Sequence, residues 1–196
     1  CPAFTSNRYG YLSAGRYTTR EAALADSRFA DIFFFDAIIC NPDRHLGNFG
    51  YLVDNDTNEI VGVAPIFDNG CGLFSLALYK NKYKDEFADL SAFAAARTPA
   101  LYHPWLNLPS GITDKMKMRA KKLLGFRFTR HPHYNLPTGR LRLLEDFLQK
   151  RISEIINYGS TQGENTSLSA HHFTVKNKKS SSSCPMDIED SVALIA

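Results

Sequence analysis

The chain has 196 residues, 44% hydrophobic and 22% charged, with a net charge of +3. It is long enough for one domain of ordinary size with its own core, and its composition is that of a soluble globular protein. The small positive balance does not by itself argue for nucleic acid, and no apolar run is long and clean enough to span a bilayer.

The N-terminus lacks the charged head and apolar stretch of a signal peptide. The chain opens at Cys1 in mid-flow, with CPAFTSNRYG, and reads as a piece of a longer protein, residues 1–17 being the end of an upstream segment. Cysteines at 1, 40, 71 and 184 show no CxxC spacing. They fit free thiols in a reducing cytoplasm better than a disulfide framework. Cys40 lies in an apolar run and Cys71 beside a glycine, so both read as small buried fillers.

YTTREAALADSRFADIFFFDAIIC is the first predicted helix. Thr18 followed three places later by Glu21 fits a capping box, and Leu24, Phe29, Ile32, Phe33, Ala37 and Ile38 recur near helical spacing. Asn41-Pro42 ends it, because the residue before proline avoids the helical region. NPDRHLGNFG, residues 41–50, is then a polar loop at the helix C-terminus. Phe49–Val53 and Ile60–Val63 flank the turn-forming DNDTNE and predict a β-hairpin. FDNGCG is a second tight turn, with short helices expected near 72–80 and 85–96. A proline-bearing connection from Thr98 to Gly111 surrounds Trp105, the single tryptophan. TDKMKMRAKKLLGF predicts an amphipathic helix capped by Thr113. TGRLRLLEDFLQKRISEIINYG is the clearest helix, with Leu141, Leu144, Phe147, Leu148, Ile152, Ile155 and Ile156 in one stripe and Gly159 as its stop. From residue 160 the composition turns polar, with KNKKSSSS at 176–183, and predicts a disordered tail. The fold class is mainly α with a small β-hairpin (α+β), over residues 18–159.

The chemistry gathers on the two loops. Asp43, Arg44, His45 and Asn48 stand on the first, and Asp68, Asn69 and Gly70 on the second. A hairpin returns the chain close to where it left, so the loops it joins can face one another. Two carboxylates and an amide oxygen would then surround one point in an accessible cleft, a donor set that suits Mg²⁺. In protein kinases a catalytic aspartate precedes a metal-binding asparagine by five residues, and a later Asp-x-Gly brings a second metal ligand. Asp43 to Asn48 is the same spacing, and Asp68-Asn69-Gly70 has the same form.

DRHLGNFG followed by APIFDNG resembles the HipA-like serine/threonine kinases of bacteria. More distantly it is similar to the phosphoinositide-kinase branch, which shares an Asp-Arg-His-x-x-Asn loop. The resemblance is specific from about Phe29 to Gly72 and extends loosely through the following helices, which look like a protein-kinase-like C-terminal lobe. It implies ATP and Mg²⁺ as cofactors and a protein Ser/Thr hydroxyl as acceptor. Asp43 matches the catalytic aspartate, Asn48 the metal-binding asparagine and Asp68 the metal-binding aspartate. Arg44 and His45 would fix the loop, Arg44 by pairing with a carboxylate or a phosphate. Some HipA-like proteins are growth-arresting toxins restrained by a DNA-binding antitoxin, which makes such a protein a possible partner.

This chain departs from that pattern in one respect. It has no Gly-x-Gly-x-x-Gly, and its first lysine is Lys80. A kinase needs both a glycine-rich loop and a strand-borne lysine over the phosphates. The chain alone is therefore expected to bind ATP weakly and transfer phosphate slowly or not at all. A non-catalytic, pseudokinase-like or truncated interaction module is the alternative. His-Pro-His at 131–133 has no nearby Cys or carboxylate and reads as a surface loop rather than a metal site. His171-His172 lies in the tail. The span from Lys115 to Arg142 holds Lys117, Arg119, Lys121, Lys122, Arg127, Arg130 and Arg140 and no acidic residue. It reads first as a solvated face; a surface for nucleic acid or an acidic protein substrate is the lesser alternative, so direct nucleic-acid binding is not the leading expectation.

Overall fold

The computed structural model describes residues 8–75, 79–81, 86–87, 92–93 and 96–159. The predicted tail, Cys1, Cys184 and His171-His172 lie outside them. The described residues combine helices with a small antiparallel sheet, an α+β architecture. No helix among them is long and apolar enough to cross a membrane.

The predicted hairpin forms as β2 (Gly50–Asp54) and β3 (Ile60–Val63), joined by a turn in which the Asp54 carboxylate accepts the Asp56 and Thr57 N–H groups. A further strand, β1 (Tyr9–Ser13), has no counterpart among the predicted elements. It pairs antiparallel with β2, Ser13 opposite Gly50 and Tyr9 opposite Asp54. Gly10 interrupts it and Tyr11 is exposed, so no clean alternation announces it. What makes it a strand is the close approach of β2. A Cβ on Gly50 would stand 2.1 Å from the Leu12 carbonyl oxygen, a space only glycine leaves open.

The single helix expected from Thr18 to Cys40 is broken. α1 runs Arg20–Ala25, a 3-10 turn spans Ser27–Phe29, and α2 runs Ala30–Ile39. Thr19, not Thr18, is the cap, accepting from the Ala22 N–H at 3.1 Å. The break is at Asp26, whose carboxylate accepts the Arg28 N–H and guanidinium and both the Tyr17 and Tyr51 hydroxyls. A short acidic side chain offered those donors competes with the helical hydrogen-bond ladder and ends it.

Residues 32–39 of α2 are all buried, and the helix ends at Cys40 in a left-handed conformation (φ 52°) just before Asn41-Pro42. One hydrophobic cluster surrounds it. Phe29 and Phe33 meet Phe49 edge-on at 4.8 and 5.3 Å, and Phe74 meets Phe147 of the C-terminal helix at 4.5 Å. Each such side chain removed from water contributes roughly 1.5–3 kcal/mol.

The short helix expected near 72–80 is corrected: residues 71 and 73–75 form turns, and Tyr79–Asn81 is a strand paired antiparallel with Glu86–Phe87. Of the helix expected near 85–96, residues 92–93 are helical and the Ala96 N–H donates to the Ala92 carbonyl at 3.0 Å, while 88–91 and 94–95 lie outside the described residues. Leu73 and Phe74 are left-handed (φ 47° and 56°), which a right-handed helix cannot accommodate. Beyond them the chain follows expectation. Trp105 is buried in an irregular connection, its ring N–H donating to the Arg97 carbonyl. Helix Asp114–Lys122 is capped by Thr113, and helix Thr138–Ile156 buries Leu141, Leu144, Phe147, Leu148, Ile152 and Ile155, with Ile156 partly covered.

Candidate functional site

The loop after α2 is built around a buried ion pair. Asp36 stands in the apolar run of α2 and Arg44 eight residues later, both 1–2% exposed. The Arg44 guanidinium spends all five of its N–H donors. Two go to the Asp36 carboxylate at 2.8 and 3.0 Å, and the rest to the Asn48 carbonyl (2.9 Å), the Phe67 carbonyl (2.5 Å) and the Asn69 side chain (2.5 Å). It therefore binds the 41–48 loop to the 67–69 loop. Asn41 repeats the link, donating to Asp36 at 3.1 Å and to the Asp68 carbonyl at 3.5 Å while accepting the Asp43 N–H. Burial pushes the Asp36 carboxyl up, and Arg44 and Asn41 pull against it.

The far side of the loop rests on β1 and the turn after it. The Ser13 hydroxyl and the Gly15 N–H both donate to the Leu46 carbonyl, and the Tyr11 hydroxyl donates to the Gly47 carbonyl. His45 is exposed, and its Nδ1 accepts the Gly47 N–H at 3.1 Å, closing the turn from inside.

Asp43 and Asp68 are both exposed, and among the described residues neither is ion-paired. Both charges bear on Cys71. Its thiol lies 3.8 Å from Asp43 Oδ2, and burial first, then Asp43 and Asp68, hold its pKa above the ordinary thiol value. Asn48 is buried and donates its amide to the Asp43 carbonyl at 3.3 Å. Among the described residues nothing donates to its amide oxygen. Asp68 is left-handed (φ 56°), like Leu73 and Phe74 just beyond it. Non-glycine residues held there cost of order 1–3 kcal/mol each, and such strain concentrates at functional sites. Gly72 is enclosed here too: a Cβ on it would stand 2.7 Å from Ile39 at the end of α2.

Thus Asp43, Arg44, Asn48 and Asp68 belong to one connected network, while among the described residues the hydrogen bonds of His45 stay within its own turn. Of the two partners foreseen for Arg44, the carboxylate is the one present, and burial keeps the guanidinium from an incoming phosphate. Cys71 is only partly covered, not the buried filler expected, whereas Cys40 is buried and its thiol is pushed up to about 12 by burial. Sequence reasoning passed over Asp36, gave Asn41 only the part of ending the helix, and placed Asn69 on the second loop without a role. An acidic residue amid Phe34, Phe35, Ile38 and Ile39 was the available signal, because buried carboxylates are kept only with a partner. The oxygen donors here are hard, two exposed carboxylates and the amide of buried Asn48, the set that a divalent cation such as Mg²⁺ takes with phosphates and water. No cluster of three His, Cys, Asp or Glu that could hold a metal occurs among the described residues, so any such ion would depend on the amide as well.

No family model and no curated protein matches the chain. The crystal structure of the Helicobacter pylori proinflammatory kinase CtkA is similar over 78% of this chain and 69% of that chain, at 16% identity and a TM-score of 0.37. Likeness at that level sets neither fold nor function for this chain.

Proposed function

We propose that the chain carries the catalytic and metal-binding half of a HipA-like serine/threonine kinase site, for ATP- and Mg²⁺-dependent phosphoryl transfer to a protein hydroxyl. One observation carries this reading: Arg44 spends every donor, two on Asp36 of α2, one on its own loop and two on the 67–69 loop, so that it ties the Asp43 loop to the Asp68 loop and leaves both of their carboxylates exposed and unpaired. Asp43 orients the acceptor hydroxyl and takes its proton. Asn48 and Asp68 are the oxygen ligands that would hold Mg²⁺. Arg44 is a positioning residue, and the His45 turn keeps Asn48 in register. Bound Mg²⁺–ATP would supply the phosphoryl group and offset its negative charge. The resemblance to HipA-like proteins adds a cytoplasmic setting, a protein substrate and a DNA-binding antitoxin-type partner to the proposal.

A non-catalytic module that keeps this fold is the second reading. It is favoured by the lack of a Gly-x-Gly-x-x-Gly and of any lysine before Lys80 in this sequence. Calorimetric titration with ATP, with and without Mg²⁺, separates the two. The kinase reading expects weak, Mg²⁺-dependent binding that Asp68→Asn removes and Asp43→Asn largely keeps. In any longer form that carries a phosphate-binding lysine, Asp43→Ala should lower transfer by about 10²–10⁴-fold, the usual contribution of a positioned general base. Nucleotide binding indifferent to both EDTA and Asp68→Asn would rule the metal site out.

A further inference from the structure

The loop between the last two helices forms a cavity that shares no residue with the site above. Its volume is about 510 Å³, and Phe126, Phe128, Arg130, His131 and Tyr134 line it. That is the size range of small-ligand sites. The loop is fastened to the C-terminal helix at three points. Gly125 N–H donates to the Gln149 side chain (2.8 Å), the Gln149 amide donates to the Leu123 carbonyl (3.2 Å), and Phe128 N–H donates to Glu145 (3.0 Å).

The walls are aromatic. Phe126 and Phe128 pack edge-to-face at 5.1 Å, and Tyr134 stacks on His131 at 5.4 Å while remaining 81% exposed. The charge is basic and incompletely matched. Arg127 and Arg130 each stand 3.7 Å from the one buried Glu145 carboxylate, beyond hydrogen-bond reach, so two guanidinium groups face one acid. Exposed Lys121 and Lys122 precede them, and no acidic residue occurs between Lys115 and Arg142. His131 Nδ1 already accepts the His133 and Tyr134 N–H groups, so it is not a spare metal ligand.

We propose that this loop binds single-stranded nucleic acid, with a base against Tyr134 and the half-buried Phe126, over buried Phe128, and the flanking phosphates on Arg127 and Arg130. Aromatic platforms interleaved with a basic track are how unpaired strands are held, because every base offers a ring face and every step a phosphate. Lys121, Lys122, Arg127 and Arg130 together carry more positive charge than one free nucleotide needs. An acidic peptide would use the arginines but leave the rings without a stacking partner.

The test is fluorescence anisotropy of the whole chain with a short labelled oligothymidylate, in EDTA so that Mg²⁺-dependent ATP binding plays no part. Binding should appear at low salt and weaken as salt rises. Tyr134→Ala should weaken it about ten-fold while Tyr134→Phe keeps it, the mark of stacking. Arg130→Ala should lower the slope of log K against log salt by about 0.7, one phosphate contact. Both positions are exposed, and circular dichroism checks that the variants fold. The proposal is overturned by no binding at low salt, by binding untouched in Tyr134→Ala, by polyglutamate or duplex DNA competing as well as the strand, or by AMP binding as tightly as the strand.

Discussion

Arg44 shows how much can depend on one side chain. It is closed off from solvent and joins a helix, a turn and a second loop through five hydrogen bonds. Breaking a buried pair by removing one partner typically costs about 3–5 kcal/mol, because the remaining charge stays buried alone. Arg44→Ala should therefore lower the unfolding free energy by that order in urea titrations, and a loss under about 1 kcal/mol would contradict the clamp. Arg44→Lys should recover little, since an ammonium cannot reproduce the planar fork. Asp26 is a second such residue. Burial alone would push its carboxyl up, but hydrogen bonds from Arg28, Tyr17 and Tyr51 outweigh it and hold the carboxyl well below the usual range. A depressed native value means its contribution is present above the unfolded value, about pH 4, and is lost as pH falls toward the native one. Asp26→Asn should flatten the acid limb of a stability–pH curve below about pH 4. An unchanged limb would show that the cluster does not govern acid stability.

Elements with a strong local pattern were legible in the sequence. Thr113 before Asp114, and the stripe from Leu141 to Ile155, carry their own cap and period, and both helices form where the pattern puts them. The hairpin was legible for the same reason. The break at Asp26 was not, because one of its hydrogen-bond donors is Tyr51, on a strand 25 residues away. β1 was not legible either, since its cause is a neighbour's missing side chain rather than its own composition. The pairing of Asp36 with Arg44 lay in plain view as an acid among phenylalanines, yet only the fold shows which base answers it. Gly50→Ala tests the element scale. The added methyl would meet the Leu12 carbonyl, so β1 should loosen first. Hydrogen exchange across Tyr9–Ser13 should then accelerate well beyond that of the C-terminal helix, and equal protection of both would count against the close approach.

At the scale of the whole molecule, α2 is the piece every other part leans on. Phe29 and Phe33 reach Phe49 beside β2, Ile39 is packed by the 72–74 turn, and Arg119 of the amphipathic helix reaches Asp31 at 2.6 Å. A single shared core of this size unfolds as one unit. Trp105, the single tryptophan, is buried in the same cluster. Its fluorescence and the helical circular dichroism should therefore be lost at the same urea concentration. Separate midpoints would mean that the sheet and the C-terminal helix hold independently.

The thiol of Cys71 gives the chain a chemical voltmeter. Only the thiolate is alkylated, and burial first, then the negative charges of Asp43 and Asp68, suppress it. Anything that neutralises those charges should quicken labelling at this one peptide. Asp43→Asn should do so permanently, and millimolar Mg²⁺ should do so reversibly if the two acids receive it. Cys40, buried and pushed up to about 12, serves as the silent control in the same digest. Iodoacetamide labelling read by mass spectrometry would thus report the charge state of the two acids without any turnover, and Cys71 labelling indifferent to both treatments would separate the thiol from the acids.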